Sequence, residues 1–156
     1  QYLLKIWQSS AKFSKDIEKT LSGLKVPHFD CNAEGTFLNT SVVSVESKFQ
    51  MIKVKSAIGN LSIIGSDKKV GEKIRLRVLA DDISISLSKP ADTSIMNTFD
   101  GLIQSMVEDS SGMTTLNLNI KNDIIKARIT TKSVNTLKLK INDKVFANIK
   151  TVAIIS

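Results

Sequence analysis

The chain has 156 residues, 42% of them hydrophobic and 24% charged, with a formal net charge of +7 at pH 7. That length suits one ordinary domain or two very small ones, and the balance of apolar and charged residues excludes a disordered chain. No apolar run reaches the roughly 20 residues of a membrane-spanning helix, residues 2–7 are too short for a secretory signal, and a lone cysteine, Cys31, excludes an internal disulfide and fits a reducing compartment.

The chain opens on Gln1, which reads as the start of a piece of a longer protein. Residues 9–23 place Phe13, Ile17 and Leu21 at helical spacing, with Gly23 as a stop. A short N-terminal helical arm is therefore expected within residues 1–33. Val26-Pro27-His28-Phe29-Asp30 follows as a linker, because Pro27 cannot continue a helix interior.

From Phe37 the hydrophobic period changes to two. Ile52 and Val54 share one face of a strand, with Lys53 and Lys55 on the other. Ala57-Ile58-Gly59-Asn60 has turn chemistry, and a strand resumes over 61–64. Residues 73–78 and 83–87 alternate cleanly, as half-buried strands do. After Pro90 the plan repeats. Strands are predicted over 102–107, 116–120, 124–130, 145–149 and 152–155, with one short helical turn over 131–137. Turns are expected at Asp109-Ser110-Ser111-Gly112, Lys121-Asn122-Asp123 and Asn142-Asp143.

The halves can be superposed. Residues 49–54 lie over 113–118, Lys73-Ile74 over Lys144-Val145, and Asp82-Ile83 over Ala153-Ile154, for a repeat of about 71 residues. Short strands at regular spacing suggest small barrels, which close their own sheet edges. The expected fold is mainly all-β: two tandem small barrels, residues 34–91 and 92–156, behind the helical arm. Phe49, Phe99 and Phe146 are expected inside them.

Catalytic chemistry is poorly supplied. No Gly-x-x-x-x-Gly-Lys-Ser/Thr phosphate loop occurs. His28 is the only histidine and, with Cys31, gives too few ligands for zinc. Asp81 and Asp82 are adjacent and would diverge on a strand, so they read as a strand-end turn. The lysines fall on alternating strand positions and read as a solvated surface. Aromatic residues are only 5% of the chain, too few for the stacking platforms of a single-strand nucleic-acid binder, so no nucleic-acid partner is expected.

Three stretches carry a resemblance: Ser94-Ile95-Met96-Asn97, Ile129-Thr130-Thr131-Lys132-Ser133-Val134, and Asn148-Ile149-Lys150-Thr151-Val152-Ala153-Ile154. In this order they resemble the Mop or TOBE domain, an OB-like molybdate-binding barrel. The run Val70-Gly71-Glu72-Lys73 to Ala80-Asp81-Asp82-Ile83-Ser84-Ile85 resembles the region before that domain in ATP-binding subunits of molybdate ABC transporters. The resemblance implies a non-catalytic regulatory region that binds molybdate or tungstate and needs no cofactor or metal. It implies a homodimer, an upstream ATPase domain, membrane subunits as partners, and a cytoplasmic place at the inner face of the membrane. It also implies an oxyanion site of Ser94, Met96 and Asn97 with Lys150 and Thr151. Hydroxyls, turn amides and one lysine are the donors that could replace the hydration shell of a tetrahedral dianion.

Met96 stands where the family has arginine, and Leu79 and Asp81 stand where it has arginines in the first unit. Methionine offers neither the charge nor the donor fork of arginine. Two alternatives therefore stay open: a structural dimerisation module that has lost its anion site, and a basic nucleic-acid-binding barrel.

Overall fold

The structure is a computed structural model and describes residues 34–155, which fall within one compact unit, Ala33–Ser156. The expected helical arm and linker, with His28 and Cys31, lie outside the described residues. Ten strands make up most of the described chain: β1 (Gly35–Glu46), β2 (Met51–Ser56), β3 (Gly59–Ile64), β4 (Lys73–Leu79), β5 (Ile83–Ser86), β6 (Asn97–Glu108), β7 (Met113–Ile120), β8 (Asp123–Thr130), β9 (Lys144–Ile149) and β10 (Ala153–Ile155). Among the described residues a single α-helix, α1 (Thr131–Leu137), follows β8.

The inward faces follow the period-two pattern. Leu38 and Val42 of β1, Ile52 and Val54 of β2, Leu61 and Ile63 of β3, and Ile74, Leu76 and Val78 of β4 are all buried. In the second half the same is true of Ile103, Leu116, Leu118, Ile120, Ile125, Ala127, Val145, Ala147 and Ile149. These side chains join one hydrophobic core that spans both sheets. Turn chemistry sets the hairpins. Ile120 pairs with Asp123 across a two-residue loop in which Lys121 and Asn122 have φ of 50° and 71°, the backbone such a tight turn demands. The start of α1 is capped by Thr130, whose Oγ1 accepts the Ser133 N–H at 3.1 Å, and Lys138 in the left-handed region (φ 53°) stops it.

The two sheets have matching strand orders: β10-β4-β1-β2-β3 and β5-β9-β6-β7-β8. In each, the long strand is bulged at the same place, between Val42 and Ser44 opposite β2 and between Ile103 and Ser105 opposite β7. Val54 pairs with Val42 and Leu118 with Ile103, so the offset between halves is 61 residues on the long strand and 64 on its partner. Ile74 pairs with Thr40 and Val145 with Gly101, where the offset is 71. The step from 64 to 71 equals the seven residues of α1, so the second half is the first with one helix inserted.

The fifth strand of each sheet comes from the other half. β5 hydrogen-bonds to β9, and β10 to β4. Leu76 is the partner of Ile154 and Ala147 of Ile85, so Ile154 corresponds to Ile85 and not, as expected from sequence, to Ile83. Two further expectations need correcting. Phe49 is 62% exposed, with the Lys48 ammonium 5.3 Å from its ring centroid, because the 3-10 turn Ser47–Phe49 points it away from the core. Phe146 is half-buried on the opposite side of β9 from the buried Val145 and Ala147. Phe99 does pack against the core.

Candidate functional site

The segment entering β6 and the segment leaving β9 are held together by the pairing of Asn97 with Ile149. They meet the edge of β3, and the three border a cleft of about 300 Å³ lined by Met51, Ser62, Ile63, Ile64, Ser94, Met96, Asn97, Lys150, Thr151 and Val152. All five residues expected at the oxyanion site thus line one cleft, although Asn97 and Lys150 are more than 50 residues apart in the chain. Thr130 and Ser133 lie elsewhere, bonded to each other at 2.7 Å in the cap of α1.

The five do different work. Asn97 is buried, and its side chain is fully committed: Oδ1 accepts the Ser62 N–H at 2.7 Å, and Nδ2 donates to the Ser62 carbonyl at 2.9 Å. It acts as a backbone mimic that continues the β3 edge into the second sheet, and it positions the cleft rather than offering donors to it. Lys150 is exposed, and its backbone N–H donates to the Asp82 carbonyl at 3.3 Å. Ser94 and Thr151 are exposed hydroxyls. Among the described residues no carboxylate lines the cleft and no ion pair engages the Lys150 ammonium. Met96 is 63% exposed and adds apolar surface with no donor. The cleft therefore presents one cation, two hydroxyls and an apolar rim, a set that suits a small anion. Ser62, Ile63 and Ile64 were not expected here. They come from the first half of the chain, and the Asn97 bonds to Ser62 and the shared core around Ile63 bring them to the site.

The corresponding place in the other half is filled differently. Thr36 takes the role of Asn97, its Oγ1 accepting the Lys126 N–H at 3.2 Å, with Lys126 at the place of Ser62. Arg128 occupies the place of Ile64. Its guanidinium donates to Asp109 at 2.9 Å and pairs with Asp81 at 3.5 Å, while Lys126 pairs with Glu34 at 3.7 Å. The hydrogen bond from the Ser111 hydroxyl, followed by that from Arg128, holds the Asp109 carboxyl well below the usual carboxylate range, and the Asp109 carboxylate in turn raises Arg128. Asp81 and Asp82 sit in the 3-10 turn Ala80–Asp82 at the strand end, as their adjacency suggested. The cations here already face the chain's own carboxylates. Among the described residues, no group of three or more His, Cys, Asp or Glu could hold a metal ion.

Two five-stranded sheets related by duplication, exchanging their last strands and meeting at an open cleft, define an OB-like fold of the TOBE type. Residues 93–155 match the TOBE domain family, and the chain is similar to the molybdenum import ATP-binding proteins. The ModC protein of Saccharophagus degradans is 35% identical over 121 residues, covering 76% of this chain and 33% of that protein. The ModC protein of Albidiferax ferrireducens is 32% identical over 135 residues, covering 86% and 37%. The chain spans about a third of the length of these curated relatives. In fold it is similar to the cytoplasmic molybdate-binding protein ModG, solved with molybdate bound, at a TM-score of 0.70 and 16% identity over 81% of this chain and 98% of that one. The matched part is a non-catalytic domain. No helix among the described residues is long and apolar enough to cross a membrane.

Proposed function

We propose that this chain is the regulatory, oxyanion-binding region of a molybdenum-import ATPase subunit, and that the cleft at Lys150 takes molybdate or tungstate. The observation that carries the reading is the convergence of Ser94, Lys150 and Thr151 on a cleft with no carboxylate among the described residues. A tetrahedral dianion entering it would exchange water for hydroxyl donors and one ammonium, whose charge-assisted bonds are about twice as strong as neutral ones. The relatives named for molybdenum import and the molybdate-bound fold neighbour support the choice of anion.

The donors are exposed, so a second copy of the chain would close the cleft, and a homodimer fits the reading. The units are residues 34–91 and 92–156, a duplicated pair that trades β5 for β10. In the intact protein an ATPase domain and the membrane subunits of a transporter would be its partners, at the cytoplasmic face of the membrane. Anion binding would favour one dimer geometry over another by no more than its differential affinity for the two.

The test is calorimetric titration of the chain with molybdate, tungstate and sulfate, with Lys150→Ala alongside. Saturable molybdate binding that sulfate does not reproduce, and that Lys150→Ala weakens at least tenfold, is expected. A folded, dimeric chain giving no heat with any of these anions would favour a second reading, a structural dimerisation module. The exposed, donor-free side chain of Met96 is the specific feature behind that second reading.

A further inference from the structure

Five of the lysines and arginines of the first half share one face. Register gathers them on the outer face of the first sheet. Lys53 and Lys55 project from β2, and Lys73, Arg75 and Arg77 from β4, each alternating with a buried neighbour. Between them runs β1. Ser41 is the register partner of both Lys55 and Lys73, Asn39 of Arg75, and Phe37 of Arg77. Strands lie about 4.8 Å apart, so Lys55 and Lys73 face one another across Ser41 from backbones about 10 Å apart. Phe37, half exposed, stands beside them with the Arg75 guanidinium 4.4 Å and that of Arg77 5.9 Å from its ring centroid. The face is concave here. A depression of about 570 Å³ is lined by Lys55, Lys73 and Arg75, with Asn39, Ser41 and Ser56 among its polar groups and, among the described residues, no carboxylate. Among the described residues, no carboxylate forms an ion pair with Lys55, Lys73 or Arg75.

The duplication supplies an internal control. At the places of Lys53 and Lys55 the second sheet has Asn117 and Asn119. At those of Lys73, Arg75 and Arg77 it has Lys144, Phe146 and Asn148, and opposite Phe146 it has Asp100 in place of Asn39. Five cations thus stand where the same fold, built twice in one chain, needs only one lysine and one aspartate. Like charges on neighbouring strands repel, so the fold does not call for this cluster, and a bound anion would relieve it.

We propose that this depression binds a compact ligand carrying two or more phosphate groups. The concavity favours a small polyanion over a flat membrane. Paired lysines flanking a serine fit linked phosphates better than a single tetrahedral ion, and the Asn39 side chain lines the depression where a further donor is useful. Such a site is separate from the cleft at Lys150 and holds whether or not that cleft binds molybdate.

The test is calorimetric titration of the full chain with inorganic pyrophosphate, with ATP, a single-stranded oligonucleotide and phosphatidylserine-containing vesicles as further arms. The variants are Lys55→Gln/Lys73→Gln and Lys150→Ala. Saturable pyrophosphate binding is expected, weakening as salt rises, lost at least tenfold in Lys55→Gln/Lys73→Gln and kept in Lys150→Ala. Backbone amide shifts in NMR spectra establish that the double variant is folded. Pyrophosphate binding that survives Lys55→Gln/Lys73→Gln, or that disappears with Lys150→Ala, would overturn the proposal. So would binding of the oligonucleotide or of vesicles with none of pyrophosphate or ATP, which would make the face a macromolecular dock instead.

Discussion

Asn97→Ala should be the most destabilising change at a polar residue of the cleft, and its cost can be worked from two hydrogen bonds. Asn97 is 6% exposed, and its amide gives and takes one bond with the Ser62 backbone, at 2.9 and 2.7 Å. An intramolecular hydrogen bond contributes about 0.5–1.5 kcal/mol net, and a buried group left without its partner costs about 1–3 kcal/mol. Ser62 is half-buried, so water can replace part of the loss. The expected change is about 2–3 kcal/mol, or roughly 5–10 °C in Tm for a domain of this size, read by urea and thermal unfolding followed by circular dichroism. The duplicated position gives the comparison. Thr36→Val removes a single 3.2 Å bond from Lys126 N–H and should cost only about 1 kcal/mol. Asn97→Asp adds a pH signature. At neutral pH its carboxylate would face the Ser62 carbonyl and could not donate, whereas the protonated acid could. The folded-state carboxyl is thereby pushed up, so the variant should regain stability relative to the parent as pH falls towards the unfolded value of about 3.9. An Asn97→Ala variant within about 0.3 kcal/mol of the parent, or a Thr36→Val variant that costs more, would refute the account of Asn97 as the strut of the cleft.

Three other outcomes are expected. The folded-state pKa of Asp109 is depressed, so the stability it contributes is fully present above the unfolded value of about 3.9 and is lost as pH falls through the folded value. Tm profiles of the parent and Asp109→Asn between pH 2 and 7 should therefore diverge above about pH 4 and converge in acid. A Cβ on Gly101 would lie 2.9 Å from Ile120 Cγ1 and 3.0 Å from the Asn119 carbonyl, and backbone cannot yield as a side-chain tip can, so Gly101→Ala should cost about 1–3 kcal/mol in urea unfolding. On the proposed function, Met96→Arg puts a permanent cation with a donor fork on the rim of the Lys150 cleft and should tighten molybdate at least tenfold in calorimetry, with a steeper salt dependence than the parent's.

Much of this fold was legible because both halves obey one alternation. The pattern that placed Ile52 and Val54 inward and Lys53 and Lys55 outward holds in the structure, as do the turns at Lys121-Asn122 and Asn142-Asp143 and the short helix after Thr130. What alternation cannot report is which strand lies beside which. The exchange of β5 and β10 is decided by tertiary pairing, and superposing Ile83 on Ile154 by sequence missed it by two residues, a shift that preserves the inward face and so leaves no trace in hydropathy. Phe49 misled for a related reason: an aromatic at the start of an alternating run reads as core, yet the 3-10 turn before β2 carries it into solvent. At the cleft, Ser94 and Lys150 could be proposed from motif resemblance. The contribution of Ser62 could not, since nothing in its own segment distinguishes it from any strand serine until Asn97 is found bonded to its backbone.

The exchange of fifth strands also bears on why one half can change its chemistry while keeping its fold. Each sheet depends on a strand from the other half, so neither can lose its packing without opening the partner's edge, and the shared core of both sheets is held by the same apolar residues. The surface positions carry no such constraint. At the site corresponding to the Lys150 cleft, Arg128 and Lys126 have gained carboxylate partners in Asp81, Asp109 and Glu34, while Ser62 and Ile64 leave the cleft itself uncharged apart from Lys150. At the outward positions of β2 and β4 the imbalance runs the other way, with five cations in the first half and only Lys144 at the corresponding places of β7 and β9. A frame duplicated and then interlocked thus keeps two copies of each surface, and in this chain the two copies of both surfaces differ in charge while the strands beneath them superpose.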